Sequence, residues 1–525
     1  MLHDLFDGDH YRRQTGLALG DDAALKHFLT IGEASGLDPC PYFSTRDYKA
    51  LYPDWAGQGA ATAIEDFLTR IERGERRRPH PLIDPDYYRA AYPDLSGLGA
   101  LAPLHFIRHG DREGRNPSAG FDAGFYRRCY LSLGQGHPFR HYITEGAALG
   151  LLPLPQPRDV LASQVAMRQA SAGLARPFLL AAHDAQAAGV PILTLDLATA
   201  LRKRGYDPVF LLGNAGPLAA RFRALGPVFV LAEGWDGAGL AAGLPAETPA
   251  IVNTAAAASL AVSLAGAGLP VLVLIHEMAD YVRDHGFLPD LRAARGAGAG
   301  LIVSMPRMAA ALAEDPGGVD LLRPGIVLPP IPLAAFRAVR EGLRGRGGPV
   351  FIGAGHADRR KGFDLFLTAA ARIAEERADA RFVWLGALDP WAQDLAVAAR
   401  GQGLDLTLPG FVADSLAWYR GADVYLLTSR QDPGPMTVIH AAAVGTPFVG
   451  YAADIGLIGL SEEAGRFVPP GDEAGFVAAA LEAAAAVTSA SRRVLRRKVR
   501  AETAFAPYVD ALLTRLGKPS ATAAS

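Results

Sequence analysis

From Pro177 onward the chain alternates short apolar runs with helix-length amphipathic ones, and it does so twice. That double alternation constrains the fold more than any other feature. "PFLLAA" is followed by a small-residue loop, a helical run from about Pro191 to Lys203, and a second apolar run at Val209–Leu212. Pro191 suits a first helical turn, where a missing N–H costs nothing. Further strands are expected at Ile251–Val252, Val271–Ile275 and Leu301–Val303. The pattern then restarts: "PVFIGAG" strand, "KGFDLFLTAAARIAEE" helix, "RFVWLGA" and "ADVYLLTS" strands, "PMTVIHAAAVG" helix, "TPFVGY" strand, "EAGFVAAALEAAAA" helix. Strands alternating with helices predict parallel sheets covered on both faces. "REGLRGRGG" (Arg340–Gly348) reads as the linker between two such halves. Two doubly wound halves would face each other across a cleft, with ligands beyond the carboxyl ends of the strands.

The first 157 residues read differently, as four repeats of 37 to 40 residues. Each has an apolar residue, a turn and a tyrosine (Tyr11, Tyr48, Tyr88, Tyr126), then a second helical signal such as "LKHFLTIGEASG" or "PLHFIRHGDREG". Each unit is expected to form two short helices ending at Gly32, Gly74, Gly110 or Gly146. A unit of this size cannot bury both helices alone, so the units should pack on one another. The aromatic pattern reads as core, and "ERGERRRPH" as a solvated edge. Proline-rich "LLPLPQPRD" (Leu151–Asp159) reads as a linker to the alternating region.

Composition narrows the function. At 525 residues the chain is too long for one core, and roughly three domains are expected. Half the residues are apolar and a net charge of −2 offers no argument for a nucleic-acid partner. Two distant cysteines, Cys40 and Cys129, suggest a reducing compartment. The N-terminus lacks the basic start and apolar run of a signal peptide, and no apolar run reaches membrane-span length. The expectation is a soluble, cytoplasmic protein.

Chemistry concentrates in two stretches of the second half. "SRQDPGPMTVIHAAAVGTPFVG" (Ser429–Gly450) leaves a strand and enters a helix near Met436. Four N–H groups at a helix start lack intrahelical partners, and the dipole there favours negative charge. Gly434 and Met436 can offer amides, whereas Pro433 and Pro435 cannot. "GAGHADRRKGFDLF" (Gly353–Phe366) puts Arg359, Arg360 and Lys361 just after the first strand of the same half, where they could neutralise a diphosphate. Read alone, the first is any doubly wound helix end and the second a solvated basic loop.

Together, "GHADRRKG" and "DPGPMTVIHAAAVGTPFVGY" resemble retaining GT-B glycosyltransferases of glycosyltransferase family 4, over about residues 177 to 515. That family carries G-R-x4-K-G and two acids spaced E-x7-E before A-x-x-x-G-x-P. The resemblance implies an α/β GT-B fold of two facing doubly wound Rossmann-like domains preceded by the α-helical repeat region. The ranges implied are 1–157 for the repeats, 177–339 for an acceptor domain, 349–490 for a donor-binding domain and 491–516 for a crossover helix. It implies that Lys361 grips the donor diphosphate and that Asp432 contacts hydroxyls of the donor sugar. His440 falls where the family has its second acid, on the ribose, and His356 where it has an arginine; Arg359 or Arg360 would replace the latter. Gly189, in "HDAQAAGVPI", resembles the glycine loop that approaches the donor phosphates. His276, in "LIHEM", resembles the active-site histidine, with Glu277 a weaker candidate. The catalytic pair implied is thus His276 and Asp432.

The activity implied is transfer of a sugar from a nucleotide-sugar donor to a glycan or lipid-linked acceptor, with no metal and no cofactor beyond that co-substrate. The repeats resemble units attached to bacterial polysaccharide-synthesis glycosyltransferases. The competing class is a non-catalytic GT-B shell that binds glycan or nucleotide, with the repeats docking a partner; His356 and His440 favour it. A sugar-phosphate epimerase of similar architecture is disfavoured, having no place for the repeats. The basic run "SRRVLRRKVR" (Ser491–Arg500) could rest on an anionic membrane surface, although its plainer reading is the exposed face of the crossover helix.

Overall fold

A computed structural model describes residues 2–131, 136–312, 319–344, 347–412, 414–457, 460 and 462–517. The chain forms two compact units, one of Met1–Ala166, Asp184–Pro191 and Leu211–Leu240, the other of Met167–His183, Ile192–Phe210 and Ala241–Ser525.

The strands are β1 (Pro177–Ala182), β2 (Asp207–Leu212), β3 (Val228–Val230), β4 (Ala250–Asn253), β5 (Val271–Ile275), β6 (Gly300–Val303), β7 (Asp320–Leu321), β8 (Val350–Ala354), β9 (Arg381–Leu385), β10 (Leu406–Gly410), β11 (Val424–Leu427), β12 (Gln431–Asp432), β13 (Phe448–Tyr451), β14 (Asp454–Ile455) and β15 (Gly465–Val468). They form a seven-stranded sheet β3-β2-β1-β4-β5-β6-β7, a six-stranded sheet β10-β9-β8-β11-β13-β15, and the small pair β12-β14. Counted from its own first strand, each large sheet begins 3-2-1-4-5-6, the doubly wound order. Every expected strand is found, and β5 has the predicted ends. Alternate residues of β8 serve opposite faces: Phe351 joins the cluster with Phe363, Phe366 and Trp384. Val350, Ile352 and Ala354 join the cluster with Val438, Ile439 and Leu495. Burial on both faces is why these strands read as unbroken apolar runs.

Arg340–Gly348 is not the loose linker expected. The helix Leu333–Arg344 occupies its first part, with Leu343 buried in the core of the second sheet; Gly345 and Arg346 lie outside the described residues. Leu151–Asp159, read as a linker, forms no helix or strand and is pinned: Gln156 and Arg158 donate backbone bonds to Glu233 and Gly234. The Arg158 guanidinium lies 3.9 Å from the Trp235 ring centroid.

In the N-terminal region one arrangement recurs four times. Asp7, Ser44, Asp84 and Asp122 cap the tyrosine-bearing helices, each accepting from an amide in the first turn. The same four residues donate their own N–H to Pro39, Pro79, Pro117 and Pro153, closing each unit. The tyrosine hydroxyls then reach the second helix: Tyr11 to His27 at 2.7 Å, Tyr88 to His105 at 3.0 Å, Tyr126 to His141 at 2.8 Å, and Tyr48 to Asp66 at 2.8 Å.

The glycine stops need correcting. Only Gly74 ends its helical turn as expected; in the other units the left-handed glycine is Gly36, Gly114 or Gly150. Gly32, Gly110 and Gly146 instead sit inside π-helical stretches, Phe28–Gly32, Phe106–Gly110 and Tyr142–Gly146. These units carry one more residue between the aromatic and the left-handed glycine than the second unit, whose helix Ala63–Glu72 stays α throughout. The wider turn absorbs the extra residue. It also brings backbone against tyrosine, since a Cβ at Gly32, Gly110 or Gly146 would lie 2.1, 2.2 or 1.9 Å from the hydroxyl of Tyr11, Tyr88 or Tyr126.

The units do pack on one another. Phe139 of the fourth rests against Tyr42, His80 and Phe106 of the earlier units as well as Phe121 of its own. Buried Asp111 accepts from Tyr42 Oη and from the amides of Phe139 and Arg140. Arg140 closes back on Asp7 at 2.6 Å.

Gly146→Ala should therefore cost about 1–3 kcal/mol through overpacking against Tyr126. Gly266→Ala, at a helix end with nothing within 4 Å, should be neutral or gain up to about 1 kcal/mol. Thermal unfolding of the two variants checks the contrast.

Candidate functional site

In the second sheet the strand order reverses between β8 and β11, which are direct neighbours. The loops leaving their carboxyl ends therefore part to opposite faces and leave a crevice at their base. Lys361 comes from the first loop and Asp432 from the second. Their side chains meet, Lys361 Nζ to Asp432 Oδ2 at 2.5 Å, with only 14 % and 5 % of the side-chain surfaces exposed. Ser429 Oγ adds a longer contact to the same carboxylate, 3.5 Å.

The lysine is placed by its own loop. Asp358 Oδ1 accepts from Lys361 N at 2.6 Å. Gly362 then turns into the helix Phe363–Glu376 with φ 68°, and a Cβ there would lie 2.0 Å from Thr428 O. Only glycine permits that approach of the two loops. Arg430 clamps them further: its guanidinium grips Asp364 with two bonds of 2.8 Å and reaches Arg359 O at 2.7 Å, while its amide donates to Arg360 O. That bidentate grip holds the Asp364 carboxyl below its usual range. Arg430 and Gly362 were missed as positioning residues although both lie in the quoted stretches. Arg359 lies 5.2 Å from the Trp391 ring centroid and Arg360 donates to Gln431 O at 3.1 Å; both remain exposed. His356 is exposed at the start of the same loop.

The helix Met436–Ala443 opens as expected, but its amides are not all outward. Met436 N, expected to face a ligand, here donates to Gly434 O at 2.7 Å. Gly434 N keeps no partner among the described residues. His440 lies one turn along the helix, partly buried, and that burial lowers its pKa from 6.5 to about 4. A neutral imidazole therefore stands where the related pattern has a carboxylate.

The first sheet contributes its own set. His276 follows β5, and its Nε2 lies 2.8 Å from Asn253 Oδ1 at the end of β4. In this arrangement Asn253 Nδ2 donates to Thr194 Oγ1 at 2.9 Å and the amide oxygen faces the histidine. That amide orientation goes with a proton on Nε2 and leaves Nδ1 as an acceptor. Burial lowers the His276 pKa, against an opposing pull from Glu277. Glu277 is a cap: its carboxylate takes Thr254 Oγ1, Ala255 N and His276 N. Asn253 and Thr194 were not singled out from sequence, having no motif around them. Gly189 opens the helix Gly189–Arg202, with nothing within 4 Å of a Cβ built on it. The two sheets meet where Ser304 Oγ, just past β6, donates to Pro433 O at 3.2 Å.

The structure thus pairs Lys361 with Asp432 and brings Arg360 to the Gln431 carbonyl beside it, while Arg359 lies over Trp391. His276 stands in a separate hydrogen-bonded set with Asn253. No group of three or more metal-ligating side chains occurs among the described residues.

Residues 348–485 match the family described as glycosyl transferases group 1. Over 126 residues the chain is 32 % identical to mannosylfructose-phosphate synthase of Agrobacterium fabrum, covering 21 % of this chain and 28 % of that one. Over 107 residues it is 29 % identical to alpha-galactosylglucosyldiacylglycerol synthase of Streptococcus pneumoniae, covering 19 % and 28 %. The chain thus spans just over a quarter of the curated relatives it matches. Among solved structures, Anabaena HepE in complex with UDP superposes with a TM-score of 0.52 at 18 % identity, covering 65 % of this chain and 99 % of that one. Sucrose-phosphate synthase of Thermosynechococcus elongatus gives 0.50 at 20 %, covering 65 % and 98 %. The architecture is therefore GT-B, and residues 348–485 within it are similar to glycosyl transferases group 1.

Lys361→Met leaves a buried carboxylate without its cation and should cost about 3 kcal/mol in urea unfolding. Adding Asp432→Asn should recover most of that loss. His440 sets a pH dependence of opposite origin. It is neutral when folded but protonates below about 6.5 when unfolded, so stability should fall as pH drops from about 6.5 to about 4. In His440→Gln that slope should flatten.

Proposed function

We propose that the protein transfers a sugar from a nucleotide-diphosphate donor to a glycan or lipid-linked acceptor with retention of configuration, in cell-surface polysaccharide synthesis. The observation that carries this reading is the Lys361–Asp432 pair at the strand-order reversal, inside the segment matching glycosyl transferases group 1. In the transfer, the bond from the anomeric carbon to the diphosphate oxygen breaks. The acceptor oxygen bonds to the same face, and its proton leaves with the diphosphate. Charge developing on the diphosphate would draw Lys361 from Asp432 and engage Arg359, Arg360 and the Gly434 amide, a preorganised electrostatic site. Asp432, released, would accept from donor-sugar hydroxyls. His276, neutral and oriented by Asn253, would present Nδ1 to the sugar or the acceptor. Closure of the two sheets would exclude water.

A second reading, a non-catalytic shell that binds nucleotide or glycan, is favoured by His440 and His356. A carboxylate accepts from ribose hydroxyls more strongly than a neutral imidazole, and an exposed His356 offers less charge than an arginine.

Donor hydrolysis with UDP-, GDP- and dTDP-sugars, alongside calorimetric binding, separates the two. For an enzyme, Lys361→Ala should lower hydrolysis by about a hundredfold or more. Binding with no turnover across donors and acceptors would establish the shell instead. Under the enzyme reading, His440→Glu should tighten donor binding about fivefold by restoring a charge-assisted acceptor.

A further inference from the structure

The helix Ser489–Glu502 carries a dense set of arginines. It is held in place by buried Leu495 and Val499, and by Arg492, which pairs with Asp423 at 2.7 Å. Beside it lies a groove of about 420 Å³ walled by Arg340, Arg420, Arg492, Arg493 and Arg496, with Asp423 its one carboxylate. That carboxylate is taken up by Arg492. Among the described residues, Arg340, Arg420, Arg493, Arg496 and Arg497 form no ion pair. Arg420 instead lies 4.2 Å from the Phe336 ring centroid. Burial and the like charges of Arg496 and Arg340 push its pKa down. Convergent cations without counter-charge repel one another, and an anion relieves the repulsion. Guanidinium forks match phosphate oxygens two at a time, so phosphate is the chemistry these arginines suit.

The groove is not part of the crevice described above. Asp423 immediately precedes β11 and Ser429 follows that strand within two residues, so the arginines gather at the amino end and the Lys361–Asp432 pair at the carboxyl end. The four-residue strand alone separates them by about 13 Å. A second hollow of about 540 Å³ continues along the helix past Ala490, Arg493, Val494 and Arg497. These four positions, spaced three, four and seven apart, share one helix face. Val494 is 54 % exposed on it. A freely diffusing phosphate gains nothing from an exposed valine among arginines. A headgroup layer does, because apolar side chains at its boundary add to the electrostatic attraction.

We infer that this face binds the phosphate headgroups of an anionic phospholipid surface, with Arg340, Arg420, Arg493 and Arg496 taking phosphate and Val494 meeting the acyl boundary. The inference does not depend on sugar transfer, and its test reads no activity. The full chain is sedimented with vesicles of phosphatidylcholine alone and of phosphatidylcholine with phosphatidylglycerol, at low and physiological salt. Binding is expected only with phosphatidylglycerol, weakening as salt rises. R493A/R496A/R497A should lower it by roughly a hundredfold, whereas R493K/R496K/R497K should keep it within about tenfold. V494E should lower it severalfold. If the triple alanine variant does not fold, R493A and R497A, both exposed, should each cost about fivefold. Equal sedimentation with both vesicle types, no sedimentation, or unchanged binding by the alanine variants would overturn the proposal. So would arginine-dependent binding of inorganic pyrophosphate without vesicle binding, which would make this a site for soluble phosphate. Preference for single-stranded RNA over vesicles would overturn it as well.

Discussion

The strand order of the second sheet is the constraint on which the site depends. A right-handed crossover sends each helix to one face or the other, and the direction reverses between β8 and β11. Because these strands are hydrogen-bonded neighbours, the loops behind them must end side by side. Lys361 and Asp432, 71 residues apart in sequence, become an ion pair for that reason. Gly362 and Arg430 convert the general proximity into contact. One removes a side chain that would collide with Thr428 O, and the other ties both loops to Asp364. A buried pair of this kind adds little net stability, yet losing either partner alone is costly because it strands the other charge.

The same sheet has one end where a buried charge is paired and another where cations gather without counter-charge. At the carboxyl end, the cation and the carboxylate satisfy each other. At the amino end, Arg420 and Arg496 face each other with Arg340, and the carboxylate in the groove is held by Arg492. Doubly wound sheets recruit ligands at their carboxyl ends because the loops and helix starts gather there. Positive charge gathered at the other end has to be explained by something the sheet itself does not require.

The repeat region shows how one residue changes local geometry without changing the packing. Three units carry the additional residue and widen one turn to π, and the second unit does without it. All four nonetheless hold a tyrosine hydroxyl against the second helix. In the second unit Asp66 replaces histidine as its partner, and Arg70 bonds that aspartate at 3.1 Å. The motif is kept by chemistry at the contact rather than by the residue type.

Much of this was legible in the amino-acid order. Apolar runs bounded by glycine and proline marked the strands, since a buried strand admits no polar alternation. The tyrosines stood out by spacing, and Lys361 and Asp432 by the resemblance of their stretches to a known motif. Other features depended on context. The helix within Leu333–Arg344 was obscured by the glycines and arginines that follow it, and its burial comes from Leu343 packing on a distant sheet. Met436 N bonds Gly434 O, a contact set by the local turn of the chain into the helix. Asn253 acquired meaning only once β4 lay beside β5 and brought it to His276. By itself, then, the sequence determined the elements, their alternation and the residue types near each strand end, because periodicity and turn chemistry act over a few residues. Tertiary structure alone decided which of those ends meet, which charges are paired and which are left facing one another, because strand order joins residues that no local rule connects.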